Sequence, residues 1–331
     1  MIRRLSIYLV TCAVCLGNLH FFVDTAEAGK KPYVAEERTP RRIRLLRPAE
    51  QTPESQLIHA DQLRERGRLR RAQRQYRALV RYWPNSPEAP YAQFAYAQVL
   101  HERGRYVRAH EEYLELLSRY AGMIPHSEVL EEKFDIATVL KDRVRGNFLF
   151  FPGFHAPERA LPVLESIVTH GPRWERAAKA QLLIAQIKEE TGDLEAAVFA
   201  YERVETRHAG TPQAEEAAFG KARTLYALSN KYPRHLDGAE TAMHILALVI
   251  QRYPDSESTE EAREQLRSLQ LRIEEIEFEK ALYYDRKARE PAAAILIYEL
   301  FLQRFPQSEH APEATKRLAK LREKHKGTDE P

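Results

Sequence analysis

The sequence predicts an all-α fold in which helical hairpins stack into a solenoid. Three observations support this class. Only 13 of the 331 residues are glycine, fewer than a loop-rich β protein or a glycine-fingered nucleotide binder normally contains. A small residue with two fixed companions recurs six times along the chain. Glycines separate paired helical segments in three of these repeats, so each repeat reads as a helix, a tight turn and a second helix.

The recurring pattern is an alanine, a bulky residue four positions later and a turn residue eight positions after that. An alanine lets two helices approach closely, and the bulky residue one turn later on the same face fills the groove beside it. Proline at the turn position ends the helix. The alanines are Ala72, Ala109, Ala160, Ala197, Ala242 and Ala294, the bulky residues are Tyr76, Tyr113, Leu164, Tyr201, Leu246 and Tyr298, and the turn residues are Pro84, Ala121, Pro172, Ala209, Pro254 and Pro306. We interpret the alanines and bulky residues as core.

The turn inside each hairpin is marked by Gly67, Gly104 and Gly192, each five residues before a repeat alanine, where a helix C-cap is expected. Seven residues before these glycines lie Ala60, Ala97 and Ala185. Ser86 followed by Pro87 and Glu88 predicts a helix N-cap. The spacing resembles the tetratricopeptide repeat, a 34-residue helical hairpin. Successive repeat alanines are 37, 51, 37, 45 and 52 residues apart, so the longer intervals predict insertions.

Residues 1–28 are predicted to be an export signal. Arg3 and Arg4 precede an apolar run at residues 5–23, and Ala26-Glu27-Ala28 supplies small residues for cleavage. Cleavage after Ala28 removes both cysteines and with them all thiol chemistry. The alternative is a lipoprotein signal in which Cys12 is acylated, although Thr11 stands where a smaller residue is expected.

The rest of the chain divides into a basic, flexible arm at 29–50, a repeat array of five to six units at 51–325 with an insertion around 141–157, and a disordered tail at 326–331. Residues 29–81 contain fifteen Lys or Arg and six Asp or Glu, a net charge of +9. Export excludes nucleic acid as a partner and leaves acidic proteins or an anionic membrane surface. The alternative is a solvated linker followed by an arginine-faced helix.

The sequence contains none of the common catalytic motifs. His101-Glu102 and His110-Glu111 lack a second histidine four residues after the first, so we predict no metal site. Adjacent acidic pairs such as Glu131-Glu132 diverge by about 100° around a helix and are not expected to act as a catalytic pair. We therefore predict a protein without enzymatic activity, cofactor or metal.

Residues 147–154 read NFLFFPGF within the predicted insertion. Phe150, Phe151 and Phe154 either form local core beneath the insertion or present an apolar patch to a partner or membrane. The sequence leaves both interpretations open.

Residues 257–288 lack Gly and Pro and predict one long amphipathic helix. Its apolar face is predicted to carry Ala262, Leu266, Leu269, Ile273, Ile276 and Tyr283. The polar side carries Arg272, Glu275, Glu279 and Arg286, which are either solvated charges or partner contacts.

The first two units predict a peptide groove. If the repeat register holds, the residues that face it are Asp61, Arg64, Tyr91, Phe94, Gln98 and His101. A mixed aromatic and polar groove suits an extended peptide. Packing between repeats explains Phe94 equally well.

Two C-terminal segments resemble a known family. RIEEIEFEKALYY at 272–284 and QRFPQSE at 303–309 are similar to the C-terminal region of BamD, the lipoprotein of the β-barrel assembly machinery. The NFLFFPGF insertion before Pro157-Glu158-Arg159-Ala160 also resembles that family's third repeat. The resemblance spans about 51–321, but the chain departs from the family in lacking a good lipobox and in having six repeat-like units where five are typical.

This resemblance implies a non-catalytic scaffold for outer-membrane protein assembly, located in the periplasm and associated with the outer membrane. The C-terminal repeats would dock the barrel-inserting subunit through Arg272, with Glu275, Glu277 and Glu279 on the same helix. The N-terminal groove would receive unfolded outer-membrane proteins. The alternative function is a periplasmic scaffold that coordinates cell-wall synthesis or envelope constriction.

Overall fold

The structure is a computed structural model that describes residues 47–145 and 154–326. The predictions for the signal, for most of the basic arm, for Phe150 and Phe151, and for the C-terminal tail lie outside these residues. The backbone of Phe154 is described, whereas its side chain is not.

The described residues form a helical solenoid, as predicted. Its helices are α1 (Pro53–Glu65), α2 (Leu69–Tyr82), α3 (Ala89–Glu102), α4 (Tyr106–Arg119), α5 (His126–Asp142), α6 (Leu161–His170), α7 (Ala177–Glu190), α8 (Leu194–Arg207), α9 (Pro212–Lys231), α10 (Leu236–Arg252), α11 (Thr259–Tyr283), α12 (Pro291–Arg304) and α13 (Ala311–Lys326). Each helix packs against the next one along the chain, from α1 with α2 to α12 with α13. None of the described helices combines the length and apolar character needed to cross a membrane.

The repeat alanines lie at the helix crossings. All six are fully buried, and so are the six bulky residues that follow them by one turn. The helices that carry them each end two residues before the predicted turn position; α2, for example, ends at Tyr82 before Pro84, and α12 at Arg304 before Pro306. The pattern that recurs six times along the sequence therefore determines both the close packing of the helices and the positions at which they end.

The hairpin turns are closed by glycines in the left-handed conformation. Gly67, Gly104 and Gly192 have φ of 68°, 68° and 81°. In the first hairpin the N–H of Gly67 donates to the carbonyl of Arg64 at 2.8 Å and the N–H of Arg68 to that of Leu63 at 2.8 Å. This pair of bonds is a Schellman cap, which needs a residue that tolerates positive φ.

The predicted N-cap at Ser86 is wrong. α3 begins at Ala89 and the side chain of Ser86 has no hydrogen-bond partner among the described residues. Residues 84–88 form turns instead. Side-chain caps occur at Thr52 and Thr211, whose hydroxyls accept from the N–H groups of Ser55 and Ala214.

The three long intervals between repeat alanines have two different causes. After α5, strands β1 (Val144–Arg145) and β2 (Phe154–His155) pair antiparallel, and a 3₁₀ turn at Pro157–Ala160 leads into α6. The other two intervals contain longer helices, because α9 has 20 residues and α11 has 25. Only the first interval is therefore a loop insertion.

The predicted long helix is present with changes at both ends. It starts at Thr259, two residues later than predicted, and its last turn at Tyr284–Ala288 is a π-helix that ends at Arg289, a non-glycine residue with φ of 56°. Leu269 and Ile273 are buried as predicted, whereas Tyr283 is 54% exposed. Tyr283 does not belong to the apolar face, because Phe278 and Ala281 are the buried residues in the last turns of α11.

The core is divided into three clusters along the chain, spanning residues 60–217, 218–273 and 278–318. The divisions fall inside α9 and inside α11. Because each hairpin contacts mainly its neighbours, as in other repeat proteins, the array has no single central core.

Candidate protein-binding surfaces

The first helices of the first three hairpins are joined by a ladder of side chains at 34-residue intervals. Arg64 on α1 donates through Nη1 to Oε1 of Gln98 on α3 at 2.9 Å, and Gln98 donates through Nε2 to Oε1 of Glu132 on α5 at 2.8 Å. Equivalent positions of the first two repeats are 37 residues apart, so Arg64 bonds to a residue one helical turn before its own equivalent, and the bonded side chains link neighbouring faces of the three helices. We call it the 64–98–132 ladder.

One ion pair and one histidine–carboxylate hydrogen bond reinforce this ladder. Arg64 also donates to Glu102 through Nε at 3.0 Å, and His101 Nδ1 lies 3.1 Å from Oε2 of Glu132. The hydrogen bond with His101 is the main reason that the pKa of Glu132 lies below its usual range. The predicted groove residues Arg64, Gln98 and His101 are therefore brought together, but they are held by one another.

The other predicted groove residues differ from one another. The carboxylate of Asp61 accepts a hydrogen bond from the hydroxyl of Tyr76 at 2.5 Å, inside its own hairpin. Tyr91 is 56% exposed. Phe94 is half-buried, with its ring centroid 5.8 Å from that of Tyr113, and it also lines a pocket. Phe94 thus serves both packing and the exposed face.

That pocket has a volume of about 480 Å³ and a strongly acidic wall. We call it the acidic pocket. Its lining combines five carboxylates with one guanidinium and two aromatic rings: Phe94, Gln98, Ser127, Glu128, Glu131, Glu132, Asp135, Trp174, Glu175 and Arg176. With every carboxylate ionised, the lining has a formal charge of −4.

The acidic residues of α5 were not singled out from the sequence as a binding surface. Glu128, Glu131, Glu132 and Asp135 occur at i, i+3, i+4 and i+7, which places them on one face of the helix. The prediction that Glu131 and Glu132 diverge considered the adjacent pair in isolation. The four-residue spacing is the sequence signal that identifies this wall.

Arg176 occupies one side of the acidic pocket. Its guanidinium donates to Oε1 of Glu131 at 2.6 Å and lies 4.0 Å from the ring centroid of Phe134. An arginine held between a carboxylate and an aromatic face gains both a charge-assisted hydrogen bond and a cation–π contact. This wall therefore already accommodates one guanidinium from the chain itself.

Tyr113 differs from three other repeat tyrosines in its hydroxyl. The hydroxyls of Tyr76, Tyr201 and Tyr298 donate to Asp61, Glu189 and Asp285. The hydroxyl of Tyr113 has no hydrogen-bond partner among the described residues, although the residue is fully buried. Burial raises its pKa most, and the carboxylate of Glu132 raises it further, so this hydroxyl lies within electrostatic reach of the acidic pocket.

A separate buried basic cluster lies on the opposite side of α5. Lys133 is fully buried and donates to the hydroxyl of Ser166 at 2.5 Å. Burial lowers its pKa to about 8. His110 is only 8% exposed and its Nδ1 has no partner among the described residues. Burial, followed by the charges of Lys133 and His170, lowers the pKa of His110 to about 4.

Arg272 is engaged within the chain. It donates through Nη1 to Asn230 at 2.6 Å and through Nη2 to Ser229 at 2.8 Å. Both partners lie at the end of α9, so the guanidinium fastens α11 to α9. Its Nε is buried and has no partner in the described part of the chain.

The three predicted glutamates of α11 lie in different surroundings. Glu275 accepts from His310 at 2.8 Å, and the ring of His310 stacks on Phe278 at 4.4 Å. Glu277 lies 3.5 Å from Lys280. Glu279 is exposed and lines a second pocket.

This second pocket, of about 700 Å³, lies at the end of α11 and is basic. It is lined by Arg234, Ile276, Glu279, Lys280, Leu282, Tyr283, Arg286 and Lys287, and we call it the basic pocket. Its formal charge is +3, and Tyr283 supplies an exposed aromatic ring. Arg286 pairs with Glu313 at 3.2 Å. The π-helical turn positions both Arg286 and Lys287.

Among the described residues, no group of three or more His, Cys, Asp or Glu is arranged to hold a metal ion. Both pockets are open and are lined by charged and aromatic side chains. Their chemistry suits recognition of polypeptide side chains.

The fold and these surfaces define a tetratricopeptide-repeat protein, and comparison with known families agrees. A tetratricopeptide-repeat model matches residues 59–124. The YfiO model, described as an outer membrane lipoprotein, matches residues 156–326, which is just over half of the chain. The chain belongs to the YfiO family of outer membrane lipoproteins. This match covers the C-terminal hairpins, a shorter span than the resemblance of about 51–321 expected from the sequence.

Solved structures with a similar fold are distant. YrrB, a tetratricopeptide-repeat protein with an unusual peptide-binding site, is 19% identical over 63% of this chain and 90% of its own, with a TM-score of 0.32. A repeat protein from Parabacteroides merdae is 14% identical over 81% and 98%, with a TM-score of 0.32. MamA from Desulfovibrio magneticus is 19% identical over 62% and 97%, with a TM-score of 0.31. No curated protein matches the chain.

Proposed function

We propose that the protein is an exported, non-catalytic scaffold that binds proteins during assembly and insertion of outer-membrane β-barrel proteins. The observation that carries the proposal is the position of the YfiO match. Residues 156–326 include α11, the helix that carries Arg272, Glu275, Glu277 and Glu279. The family region and the predicted docking residues therefore coincide.

The docking surface for the barrel-inserting subunit lies at the C-terminal end of α11. Glu279 and Tyr283 are exposed there, and the basic pocket beside them presents Arg234 and Lys287, which make no ion pair with another described residue. An exposed aromatic ring within a charged rim is a common composition for a protein–protein contact.

Arg272 requires care as a test of this docking. Its two hydrogen bonds to the end of α9 are lost when the side chain is replaced. Arg272→Glu therefore changes the packing of α11 as well as the surface charge. Glu279 provides a cleaner probe, since it is exposed and makes no ion pair with another described residue.

The N-terminal hairpins form the second binding surface in this proposal, and unfolded outer-membrane proteins are its clients. The 64–98–132 ladder fixes α1, α3 and α5 side by side, and Tyr91 and Phe94 are presented beside it. A surface held in place by its own hydrogen bonds loses little further entropy on binding an extended chain.

The proposal places the protein in the periplasm, associated with the outer membrane. Family membership supports an anchor, and Cys12 is the candidate for acylation. Mass spectrometry of the mature N-terminus tests this, because an acylated Cys12 and a free Gly29 differ in mass and in sequence. A basic arm would favour an anionic membrane surface in either case.

Co-purification from detergent-solubilised envelopes tests the assembly function. The wild-type protein is expected to recover the barrel-inserting subunit, and Glu279→Lys is expected to recover less. Glu264→Lys is the matched control, because Glu264 is an exposed glutamate earlier on the same helix. Circular dichroism should show equal helicity in all three proteins. Recovery of cell-wall synthesis proteins in place of the barrel-inserting subunit would contradict the proposal and support the alternative function.

A further inference from the structure

We infer that the acidic pocket binds an extended polypeptide segment through an arginine or lysine side chain of that segment. The inference deepens the proposed function and rests on it, because it gives the chemical class of segment that the N-terminal hairpins select. The family resemblance implied only that the client is an unfolded outer-membrane protein. The inference adds that the bound segment carries a positive charge.

The first argument is charge complementarity. Glu128, Asp135 and Glu175 are exposed and make no ion pair with another described residue. Three carboxylates converging on one pocket repel one another, and a cation placed between them relieves that repulsion. Water and salt weaken the attraction at the surface, but a groove with low-dielectric walls concentrates the field.

The second argument is the place that Arg176 already takes. Its guanidinium lies against Glu131 and over the ring of Phe134. Of the two aromatic rings that line the pocket, Trp174 also lies 5.9 Å from this guanidinium, whereas Phe94 contacts no cation among the described residues. The pocket therefore keeps one aromatic ring and three carboxylates that no cation of the described chain occupies.

Both arguments favour a basic peptide over other ligands. An acidic segment is repelled by the carboxylates, and a purely apolar segment leaves them without partners. The occupant is therefore a polypeptide with at least one arginine or lysine in an extended stretch.

The test is fluorescence anisotropy with the full mature chain and short fluorescein-labelled peptides. One peptide carries two arginines and an aromatic residue, and its partner peptide has glutamine in place of both arginines. Glu128→Gln with Asp135→Asn removes two pocket charges without breaking an internal bond. Glu165→Gln with Glu202→Gln is the matched control on exposed glutamates of other helices.

The arginine peptide is expected to bind the wild type and the control equally, and the pocket variant about tenfold more weakly, since each exposed ion pair contributes up to about 1 kcal/mol. Raising the salt to about 0.3 M should weaken binding to the wild type more than to the pocket variant. Equal affinity for the two peptides, or equal affinity of the pocket variant and the control, overturns the inference.

The two proposals fail in different assays. If the pocket variant binds the arginine peptide normally while envelopes still yield the barrel-inserting subunit, only the pocket inference is wrong. If the pocket variant binds the arginine peptide more weakly than the wild type does, but the barrel-inserting subunit is never recovered, the assembly role is wrong. The inference about the acidic pocket then still holds.

Discussion

The acidic pocket and the basic pocket belong to the same kind of helical array but are built differently. The acidic pocket lies where the first helices of successive hairpins run side by side, so residues 34 positions apart meet and bond. The basic pocket lies where one long helix ends in a π-turn. The comparison shows that the repeat supplies the frame, while departures from the repeat length supply a second surface of opposite charge.

The core clusters make the two regions separable. The acidic pocket rests on the cluster at 60–217, whereas the end of α11 rests on the cluster at 278–318. Damage to one cluster is therefore expected to remain largely in its own region, as in other repeat arrays.

The largest expected effect comes from truncating one repeat tyrosine in each region. Tyr113→Ala and Tyr298→Ala each remove a fully buried ring and should each lower the free energy of unfolding by about 3–5 kcal/mol. Hydrogen exchange should show lost protection in α3 to α5 for the first variant and in α11 to α13 for the second. A uniform loss along the chain in both variants would contradict the separation.

The second expected effect is a loss of stability of the N-terminal region at acidic pH. His110 is neutral when folded, because burial and the charges of Lys133 and His170 lower its pKa from 6.5 to about 4. The unfolded chain binds a proton at this residue below about pH 6.5, so the free energy of unfolding should fall between pH 6.5 and pH 4, by roughly 3 kcal/mol. Below pH 4 this contribution is fully lost.

The comparison of wild type with His110→Leu isolates this residue. Thermal or urea unfolding of the two proteins at pH 7 and pH 5 should show a smaller loss of stability on acidification in the variant. The charges that act on His110 are those of Lys133 and His170, and the variant leaves both residues in place. An equal acid sensitivity in the two proteins would exclude His110 as the cause.

The third effect concerns charge in the basic pocket. Arg234→Glu with Lys287→Glu reverses two charges that make no ion pair with described residues. Recovery of the barrel-inserting subunit should fall about tenfold, because partner recognition at this site depends on charge. Affinity for the arginine peptide should not change. A parallel loss in both assays would mean that the two pockets are not independent.

The smallest expected effect is on the free energy of unfolding when the hydroxyl of one repeat tyrosine is removed from each region. The hydroxyl of Tyr298 donates to Asp285 at 3.3 Å, and burial, followed by the charge of Asp285, raises the pKa of Tyr298 to about 12. Tyr298→Phe should therefore cost about 1 kcal/mol, whereas Tyr113→Phe should leave stability unchanged or raise it. Chemical denaturation of the two variants measures this difference. A loss of stability in Tyr113→Phe would show that its hydroxyl is satisfied inside the fold.

The repeat pattern carried most of the fold prediction. The alanine at each crossing and the turn residue beyond it depend only on local spacing, so their burial and the helix ends could be read from the chain. Ser86 could not, because whether a serine caps a helix depends on where the preceding turn places it. Tyr283 was misplaced because the buried face of α11 changes between Ile273 and Phe278, where the helix passes from one core cluster to the next.

The candidate sites were predicted less completely. Arg64, Gln98 and His101 lie near one another, as the repeat register predicts, while their role as peptide-groove residues stays a prediction. Their mutual hydrogen bonds were not foreseen, because contacts between repeats depend on side-chain conformations. The acidic wall of α5 carried a readable signal in its i, i+3, i+4, i+7 spacing. The internal bonds of Arg272 join residues 42 and 43 positions apart, and the sequence gives no indication of them.

Photo-crosslinking in intact envelopes tests the central claim most directly. Tyr91 and Tyr283 are almost equally exposed, at 56% and 54%, and stand on the two surfaces. Each is replaced in turn by a photoreactive phenylalanine analogue. We predict crosslinks from position 283 to the barrel-inserting subunit and from position 91 to unfolded outer-membrane proteins. Crosslinks from both positions to the same protein, or to cell-wall synthesis enzymes, would contradict a scaffold with two separate surfaces for outer-membrane protein assembly.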